Sequence, residues 1–440
     1  MNVLKFGGTS VGSVANMHMV KDIIVDGTKK IVVLSAMSGT TNTLVKIHGL
    51  IVDNQQEEAV VVLNNLQEEY ILVLDDLFEK SQLKQIVSNY VDAIFHELES
   101  IISNPSHCFL YNNIVSKGEL LSTYMFTSFL ESQHIKARLL PALDFMRIDK
   151  DGEPDNFYIQ QNLNRLIKEG VTAEIYITQG FICLDNQGDI SNLQRGGSDY
   201  SATIIGAALD ADEVQIWTDI DGLHNNDPRF VADTHAISNL SFDEAAELAY
   251  FGAKILHPQT VMPARQANIP VRLKNTMQPQ SYGTLINKNA SEEGIKAIAA
   301  KDAITAIKIK SARMLQAHGF LKKVFEIFEK YETAIDMITT SEIAISLTID
   351  NNSSLKAIVS ELEKFSTVEI DEHQSIVCLV GNQIVKHEDT YRFFQILQDI
   401  SVRMISYGGS NNNISILVHS DDKIKTLQLL NAYVFGEAIA

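Results

Sequence analysis

Short apolar blocks alternate with longer amphipathic segments along the first 290 residues of the chain. The apolar blocks are nearly continuous, which is typical of strands covered on both faces of a sheet. They lie at residues 3–6, 30–36, 136–140, 174–181, 213–218 and 270–273. One segment between them, "SFDEAAELAYFG", begins with a capping box of Ser241 and Glu244 and ends at Gly252. The alternation predicts an α/β fold, an open and mostly parallel sheet with helices on both faces. Within it, residues 57–102 predict two long helices with a packing role.

The pattern changes after about residue 290. Residues 319–350 predict a helix, a strand, a turn and a second strand, and residues 390–418 repeat that series. A repeat of roughly 70 residues, each unit closing with a further helix and strand, predicts two ferredoxin-like βαββαβ modules. We therefore expect a catalytic domain over residues 1–290 and a regulatory domain over residues 291–440. The two modules should span about 300–375 and 376–440, with interleaving left open.

Composition narrows the class of protein. The 440 residues are 45% hydrophobic, ordinary for a globular protein, and no apolar run approaches a membrane span. A formal net charge of −19 argues against a nucleic-acid partner, since phosphate backbones require basic surfaces. The three cysteines lie far apart without disulfide or zinc spacing. The first residues enter a strand instead of a signal peptide, so we expect a cytoplasmic protein.

Two segments with paired glycines carry the first candidate chemistry. "KFGGTSVGS", residues 5–13, follows the first predicted strand and has Lys5 as its cation. "QRGGSD", residues 194–199, places Arg195 before its glycine pair and a Ser-Asp dipeptide after it. Small residues allow backbone N–H groups to approach a phosphate closely, although neither segment fits the Walker or dinucleotide pattern. Taken alone, the first segment could be a plain turn, and the Ser-Asp dipeptide of the second could be a helix N-cap.

Further polar segments occur at residues 32–45, 116–126, 217–229 and 251–260. Each also has a structural interpretation: Glu119 in the first turn of a helix favours the helix dipole, and Lys254 could be a solvated cation. "DPR" is usually a turn, and His257-Pro258 usually marks a helix boundary. The combination is more specific, because loops at the carboxyl ends of strands gather where ligands bind in open α/β sheets.

The motifs "KFGGTSV", "QRGGSD", "WTDIDGLHNNDPR" and "FGAKILHP" together resemble those of aspartokinases, members of the amino-acid kinase superfamily. The repeated tail resembles the paired ACT modules of these enzymes. The resemblance implies ATP-dependent phosphorylation of the β-carboxylate of L-aspartate, the first step toward lysine, threonine, methionine and diaminopimelate, with Mg²⁺ bridging the ATP phosphates. With no appended dinucleotide-binding domain in the sequence, we expect the monofunctional form and not a fusion with homoserine dehydrogenase.

The resemblance also assigns residues to roles. Lys5 would hold the transferred phosphoryl group and Asp199 would orient it, Glu119 would bind the substrate ammonium, and Arg195 would bind a substrate carboxylate. The aspartate side would comprise Ser35, Thr41, Glu119, Phe181, Arg195, Gly196, Gly197 and Ser198. The ATP side would comprise Lys5, Gly7, Gly8, Thr9, Ser10, Thr218, Asp219, His224, Arg229 and Lys254. His224 stands where the family pattern has a tyrosine, and its flat ring can also stack on a base. No residue is assigned as a metal ligand.

"SARMLQAHGFLKKVF" and "IDMITTSE" resemble the effector loop and strand of lysine-sensitive aspartokinases. The implied site for L-lysine, an allosteric inhibitor, would comprise Met314, Gly319, Phe320, Leu321, Asp336, Ser341 and Glu342. Asp336 and Glu342 offer two anions to a ligand with two ammonium groups, whereas threonine would leave one carboxylate unpaired. We expect a homodimer through the ACT modules and leave a tetramer open.

Two alternatives remain at this point. Another amino-acid kinase of the same fold, such as a glutamyl kinase, would generally lack the paired ACT tail. A non-catalytic amino-acid sensor would have lost its kinase residues, but Lys5, Arg195, Asp199 and Lys254 are all present.

Overall fold

The computed structural model describes residues 1–105, 110–169, 172–193, 196–252, 256–289, 292–311, 318–386 and 392–436. The chain divides into two units, Met1–Leu223 with Leu256–Lys288 and His224–Ile255 with Asn289–Ala440. The segment 224–255 falls in the expected catalytic range, yet it clusters with the C-terminal part of the chain.

The strands follow the chain order β1 (Asn2–Phe6), β2 (Lys30–Leu34), β3 (Ala137–Leu139), β4 (Ile175–Gln179), β5 (Ile182–Leu184), β6 (Ile190–Asn192), β7 (Val214–Thr218), β8 (Asn239–Ser241), β9 (Val271–Asn275), β10 (Thr284–Asn287), β11 (Gly294–Lys310), β12 (Ile338–Thr340), β13 (Ala344–Ile349), β14 (Thr367–Asn382), β15 (Val402–Ser406) and β16 (Asn413–His419).

The helices are α1 (Val14–Ile24), α2 (Thr40–Val52), α3 (Gln56–Leu77), α4 (Gln82–Ser103), α5 (Leu110–Ser132), α6 (Asn156–Glu169), α7 (Gly197–Leu209), α8 (Phe242–Phe251), α9 (Met262–Ala267), α10 (Phe320–Lys330), α11 (Leu355–Leu362), α12 (Arg392–Ile396) and α13 (Lys423–Phe435).

The sheet of the first unit has the strand order β3-β4-β2-β1-β7-β9-β10. Neighbours from β3 to β9 are parallel, and β10 runs antiparallel to β9. In register, Phe6 pairs with both Leu34 and Trp217, and Leu34 pairs with Gln179. The carboxyl ends of β1, β2, β4 and β7 therefore meet at one edge of the sheet. All six predicted strands are present, and the predicted fold class is confirmed.

Helices α3 and α4 are the two long helices predicted for residues 57–102. Their buried faces share one apolar core with α1, α2, α5 and one face of β1 and β2. A polar contact ties them in as well, since the Tyr70 hydroxyl lies 3.0 Å from Thr40 Oγ1 at the start of α2. Their packing role agrees with the one predicted.

The second unit contains a six-stranded sheet among its described residues, in the order β12-β13-β11-β14-β16-β15. The long antiparallel strands β11 and β14 run through both predicted modules, pairing Gly294 with Asn382 at one end and Lys310 with Thr367 at the other. In the first module, β14 provides the predicted closing strand after α11. The described part of the second module instead ends on α13, and residues 294–301 lie beside β14 as its remaining strand. The expectation that each unit closes with its own helix and strand is therefore wrong for the second module, because long β11 already provides that strand.

Each module has its own apolar core. In the first, α10 and α11 pack against β11 and β13. In the second, α12 and α13 pack against β14 and β16, and this core also includes Val231 from the segment 224–255. That shared core explains why the segment clusters with the C-terminal unit. None of the described helices is long and apolar enough to cross a membrane.

Candidate active site

An ion pair joins the two glycine loops of the first unit. Lys5, near the end of β1, places Nζ 2.6 Å from Oδ1 of Asp199 in the first turn of α7. The side chains are 13% and 18% exposed, so the charges are largely shielded from water. The two residues are 194 positions apart in the chain, and their side chains meet at the carboxyl edge of the sheet.

The first glycine loop lies between β7 and the loop that follows β2. The Gly7 N–H donates to the Trp217 carbonyl at 3.4 Å. A Cβ at Gly8 would come within 2.9 Å of the Ala36 carbonyl oxygen, so a side chain there would displace one of the two loops. The glycine pair thus allows the backbone to pass close to Ala36, as a phosphate-binding turn requires.

Two residues of this loop, Thr9 and Ser10, carry hydroxyl groups. Ser10 is buried, and its Oγ lies 2.8 Å from Thr276 Oγ1. Thr9 is exposed, and Thr41 is partly exposed in the first turn of α2. Ser10 therefore anchors the loop to the residue after β9, while Thr9 remains open to solvent.

The second glycine loop forms the N-terminus of α7. Gly196 has φ +70° and would place a Cβ in the side chain of Thr260, so glycine is required there on two grounds. No described side chain caps this helix. The Asp199 and Tyr200 N–H groups both donate to the Gly196 carbonyl, at 3.1 and 3.5 Å, which leaves the N–H groups of Gly197 and Ser198 available to an anion. Ser35 Oγ donates to Ser198 Oγ at 2.9 Å and so connects the loop after β2 to this helix.

Phe181 follows β4 with φ +66°, an uncommon conformation for a residue with a side chain. Its N–H donates to Ser201 Oγ at 2.8 Å, and this bond to α7 holds the backbone in place. Its ring lies near Gly197, because a Cβ there would be 3.5 Å from Phe181 Cδ2. Strained residues of this kind persist where the surrounding structure holds them, often at functional sites.

Glu119 lies on α5 and is 3% exposed. Its Oε1 accepts a hydrogen bond of 3.3 Å from the Ala36 N–H, and its Oε2 has no hydrogen-bond partner among the described residues. Burial raises the pKa of this carboxyl to about 8, and the Ala36 hydrogen bond offsets only part of that effect. A buried carboxylate with a free oxygen is suited to a cationic ligand group.

The predicted nucleotide residues Thr218 and Asp219 lie at the same edge, where Thr218 ends β7 and Asp219 follows it. Thr218 Oγ1 donates to Asp219 Oδ1 at 3.0 Å, and the Thr218 carbonyl accepts from the Thr276 N–H at 2.8 Å. Among the described residues, no group of three His, Cys, Asp or Glu side chains could hold a metal ion.

Five other predicted residues do not belong to the described part of the first unit. Arg195, Lys254 and Met314 fall outside the described residues. His224 and Arg229 belong to the second unit. The roles of all five stay predictions.

Within the second unit, the loop after Leu223 has a defined geometry. Nδ1 of His224 lies 3.3 Å from Thr234 Oγ1. The Arg229 guanidinium binds the Asp227 carboxylate through Nε at 3.0 Å and Nη2 at 2.6 Å, and this contact lowers the pKa of Asp227. The Arg229 side chain is 78% exposed, so Asp227 holds one edge of the guanidinium while the rest of the side chain is open to solvent.

Sequence reasoning missed several residues that support the site. Gln179, at the end of β4, accepts from the Ala142 N–H and donates to Thr123 Oγ1, both at 2.7 Å. Ser122 Oγ donates to the Ser35 carbonyl at 2.8 Å. A polar residue at the end of an otherwise apolar strand, as in "ITQG", is the signal that could have identified Gln179.

Comparison with known proteins identifies the family. Residues 1–275 match the amino acid kinase family, and residues 307–364 and 377–433 match the ACT domain. Lysine-sensitive aspartokinase 3 of Escherichia coli is 33% identical over 448 residues, covering 98% of this chain and 99% of the relative. The chain belongs to the aspartokinase family. Aspartokinase 1, chloroplastic, of Arabidopsis thaliana is 34% identical, covering 98% of this chain and 80% of the relative.

Solved structures of aspartokinases show the same fold. E. coli aspartokinase III in complex with aspartate and ADP, an R-state, has a TM-score of 0.82 at 33% identity and covers 99% of this chain and 100% of that one. The same enzyme in complex with lysine and aspartate, a T-state, has a TM-score of 0.80 at 32% identity and covers 99% of each chain. The expected family is confirmed over nearly the whole length.

The predicted effector residues of this aspartokinase lie in its first ACT module. Gly319, with φ +86°, precedes α10 without a side-chain cap; Phe320 is buried and Leu321 exposed. Ser341 and Glu342 form the exposed turn between β12 and β13.

Asp336 lies just before β12; its side chain is 1% exposed and already has partners. Its Oδ1 lies 2.8 Å from Lys301 Nζ and accepts from the Tyr250 hydroxyl at 2.5 Å, while its Oδ2 has no hydrogen-bond partner among the described residues. Burial opposes the charge of Lys301, but contacts to Asp336 and Asp350 outweigh burial and raise its pKa. No pattern in the sequence indicated this internal cation.

Proposed function

We propose that this protein transfers the γ-phosphoryl group of ATP to the β-carboxylate of L-aspartate, giving 4-phospho-L-aspartate and ADP. The observation that carries the proposal is the Lys5–Asp199 ion pair between two glycine loops at the carboxyl edge of the sheet. The E. coli relative whose structure holds aspartate and ADP supports the choice of substrates.

The reaction needs positioning and charge neutralisation more than acid–base chemistry. A β-carboxylate oxygen forms a bond to the γ-phosphorus, the bond from that phosphorus to the bridging oxygen breaks, and ADP leaves with the electron pair. The pKa of an aspartate side chain in water is about 3.9, so the nucleophile is ionised at neutral pH and no proton must be removed. Lys5 neutralises charge on the transferred group, and Asp199 holds the Lys5 ammonium in place.

Glu119 is the proposed partner of the substrate ammonium. Its free Oε2 and its burial without a hydrogen-bonded cation among the described residues both favour a cationic ligand. The bond between Ser35 and Ser198 connects the loop after β2 to the start of α7. Arg195 is assigned to a substrate carboxylate by resemblance alone.

Mg²⁺ is proposed to enter with ATP, where it would neutralise charge shared by the β- and γ-phosphates. One carboxylate, nucleotide phosphates and water form a donor set that Mg²⁺ accepts, and Asp219 is a carboxylate at the end of β7 that fits this requirement.

L-Lysine is the proposed inhibitor, and it would act by binding a low-activity arrangement more tightly than the active one. The support is the E. coli relative, which is named lysine-sensitive and whose T-state structure holds lysine. The proposed assembly is a homodimer through the ACT modules, and light scattering with and without lysine would test it.

The deciding experiment is an acyl-phosphate assay with hydroxylamine, ATP and Mg²⁺, comparing L-aspartate with L-glutamate. Product from aspartate alone supports the proposal, and product from glutamate would indicate a glutamyl kinase. Lysine binding without product from either acceptor would indicate a sensor.

A further inference from the structure

Helix α13 of the second ACT module holds the loop that carries Arg229. Four side chains on this helix contact residues 226–235. Lys423 Nζ lies 4.2 Å from the centre of the Phe230 ring, and Gln428 Nε2 donates to the Phe230 carbonyl at 3.2 Å. Asn431 Oδ1 accepts a hydrogen bond from Asn226 Nδ2 at 3.1 Å. The rings of Phe435 and His235 pack with their centres 5.9 Å apart. A helix from the regulatory tail therefore fixes a segment whose motif belongs to the kinase part of the family.

The contact between Asn431 and Asn226 is the most constrained of the four. The two residues are 7% and 3% exposed, so each amide depends on protein partners. The Asn226 side chain donates to Asn431 on α13 through Nδ2, and its Oδ1 accepts from the Asp227 N–H at 2.9 Å. The Asp227 carboxylate then binds both the backbone N–H and the guanidinium of Arg229. A chain of hydrogen bonds thus leads from Asn431 to Arg229.

A second anchor holds the far side of the same turn. Lys423 forms an ion pair of 2.8 Å with Asp302 on β11 and also covers the Phe230 ring. Val231 enters the apolar core of the second module. Contacts to the second module therefore lie on both sides of the Asp227–Arg229 pair, through Asn226 before it and through Phe230 and Val231 after it.

We propose that Asn431 is a positioning residue for ATP, acting through Asn226 and Asp227 to orient Arg229. This inference rests on the proposed function, because Arg229 is a nucleotide-binding residue only under that proposal. The second ACT module then has a part in nucleotide binding even when no effector is present. Asn431 itself touches no substrate and is not a catalytic residue.

The test compares Asn431→Leu with Thr426→Val in the full chain. Leucine is similar in size but leaves the buried Asn226 amide without its acceptor. Thr426 is buried in the same helix and bonds to the Asp422 carbonyl, so its variant weakens α13 without removing a loop contact. Calorimetric titration with ADP and MgCl₂ should show about tenfold weaker binding for Asn431→Leu. Thr426→Val should bind ADP like the wild type even where both variants lose the same thermal stability.

Two further variants separate positioning from general damage. Asn431→Asp keeps the acceptor oxygen and should restore ADP binding toward the wild-type value. Combining Asn431→Leu with Arg229→Ala should weaken ADP binding no more than Arg229→Ala alone, since one acts through the other. Wild-type ADP affinity in Asn431→Leu, or fully additive losses in the double variant, would overturn the inference. A wild-type chain that binds ADP but does not phosphorylate aspartate would overturn the proposed acceptor and leave this inference standing.

Discussion

Two buried carboxylates, one in each unit, differ in their surroundings. Glu119 in the first unit has a backbone N–H on one oxygen and no described hydrogen-bond partner on the other. Asp336 in the second unit is equally buried, but Lys301 and Tyr250 already contact its Oδ1. Burial of Glu119 without a compensating cation raises its pKa to about 8.

The difference bears on how each site receives a cation. An ammonium group that approaches Glu119 meets an unpaired carboxyl, so binding relieves the cost of burial. An ammonium group that approaches Asp336 must use Oδ2 or displace Lys301, so its net gain is smaller. The proposed substrate site therefore gains charge only as Glu119 ionises, whereas the carboxylate of the proposed effector site already has an internal cation.

The largest expected effect is that of replacing Lys5. Like Lys301, Lys5 contacts a carboxylate, but in the proposed reaction it neutralises charge on the transferred phosphoryl group. Lys5→Met should leave the fold intact and lower kcat by at least about a hundredfold, because an interaction aimed at transition-state charge contributes about 2.7 kcal/mol or more. The matched control is Lys30→Met, which removes another buried lysine paired with a carboxylate, Asp26. We expect the control to lose stability but retain kcat. A Lys5→Met variant with more than a tenth of wild-type kcat contradicts the phosphate-binding role.

Glu119→Gln tests whether the unpaired carboxyl of the first unit binds the ammonium group of aspartate. The neutral amide should raise KM for aspartate more than about tenfold and leave KM for ATP nearly unchanged, because a charge-assisted hydrogen bond is lost from one substrate only. A glutamate that merely favours the helix dipole would lower the melting temperature and leave KM for aspartate unchanged. That result would remove Glu119 from the substrate site.

The raised pKa of Glu119 also predicts a pH dependence. The pKa of about 8 in the folded chain lies above the ordinary glutamate value of 4.5, so the folded chain retains a proton that the unfolded chain releases between those values. Burial of Glu119 therefore lowers stability as pH rises through this window, and Glu119→Gln should flatten the decline in melting temperature.

The ionised form of Glu119 binds an ammonium, so KM for aspartate should fall about eightfold from pH 7 to pH 8.5. Initial-rate measurements should show this fall in the wild type and not in Glu119→Gln, and a flat wild-type profile would contradict the role.

Local patterns predicted much of the fold. The six predicted strands of the first unit, the helices α3 and α4, and the Ser241–Glu244 capping box depend on residues close together in sequence, and the structure confirms them. The short strands β5, β6 and β10 were not predicted. The interleaving of the ACT modules depends on the register of β11 against β14, which pairs Gly294 with Asn382. A periodic pattern fixes which face of a strand is buried but not which distant strand lies beside it.

The site shows the same limit. The glycine motifs in the sequence indicate Lys5 and Asp199 as site residues, because phosphate binding constrains several adjacent residues at once. Lys301 contacts Asp336 from 35 residues away, and Asn226 contacts Asn431 from 205 residues away. Neither contact leaves a motif, since a single lysine or asparagine on an ordinary strand or helix satisfies it.

The smallest expected effect would sharpen the comparison at Asp336, where an internal cation and a ligand share one carboxylate. Asp336→Ala should weaken inhibition by lysine about fivefold, and Lys301→Met should strengthen it about threefold, because the ligand no longer competes with a partly buried ion pair. Circular dichroism must show that Lys301→Met stays folded, since an uncompensated carboxylate destabilises a module.

Asp350→Asn is the matched control. Lys301 also binds Asp350 at 2.9 Å, so this variant leaves Asp336 as the carboxylate partner of Lys301. Its inhibition should be no stronger than that of the wild type. The half-inhibitory concentrations of lysine and threonine would be measured for all four proteins. Inhibition by threonine but not lysine would falsify the effector assignment, and unchanged lysine inhibition in Asp336→Ala would place the effector site elsewhere.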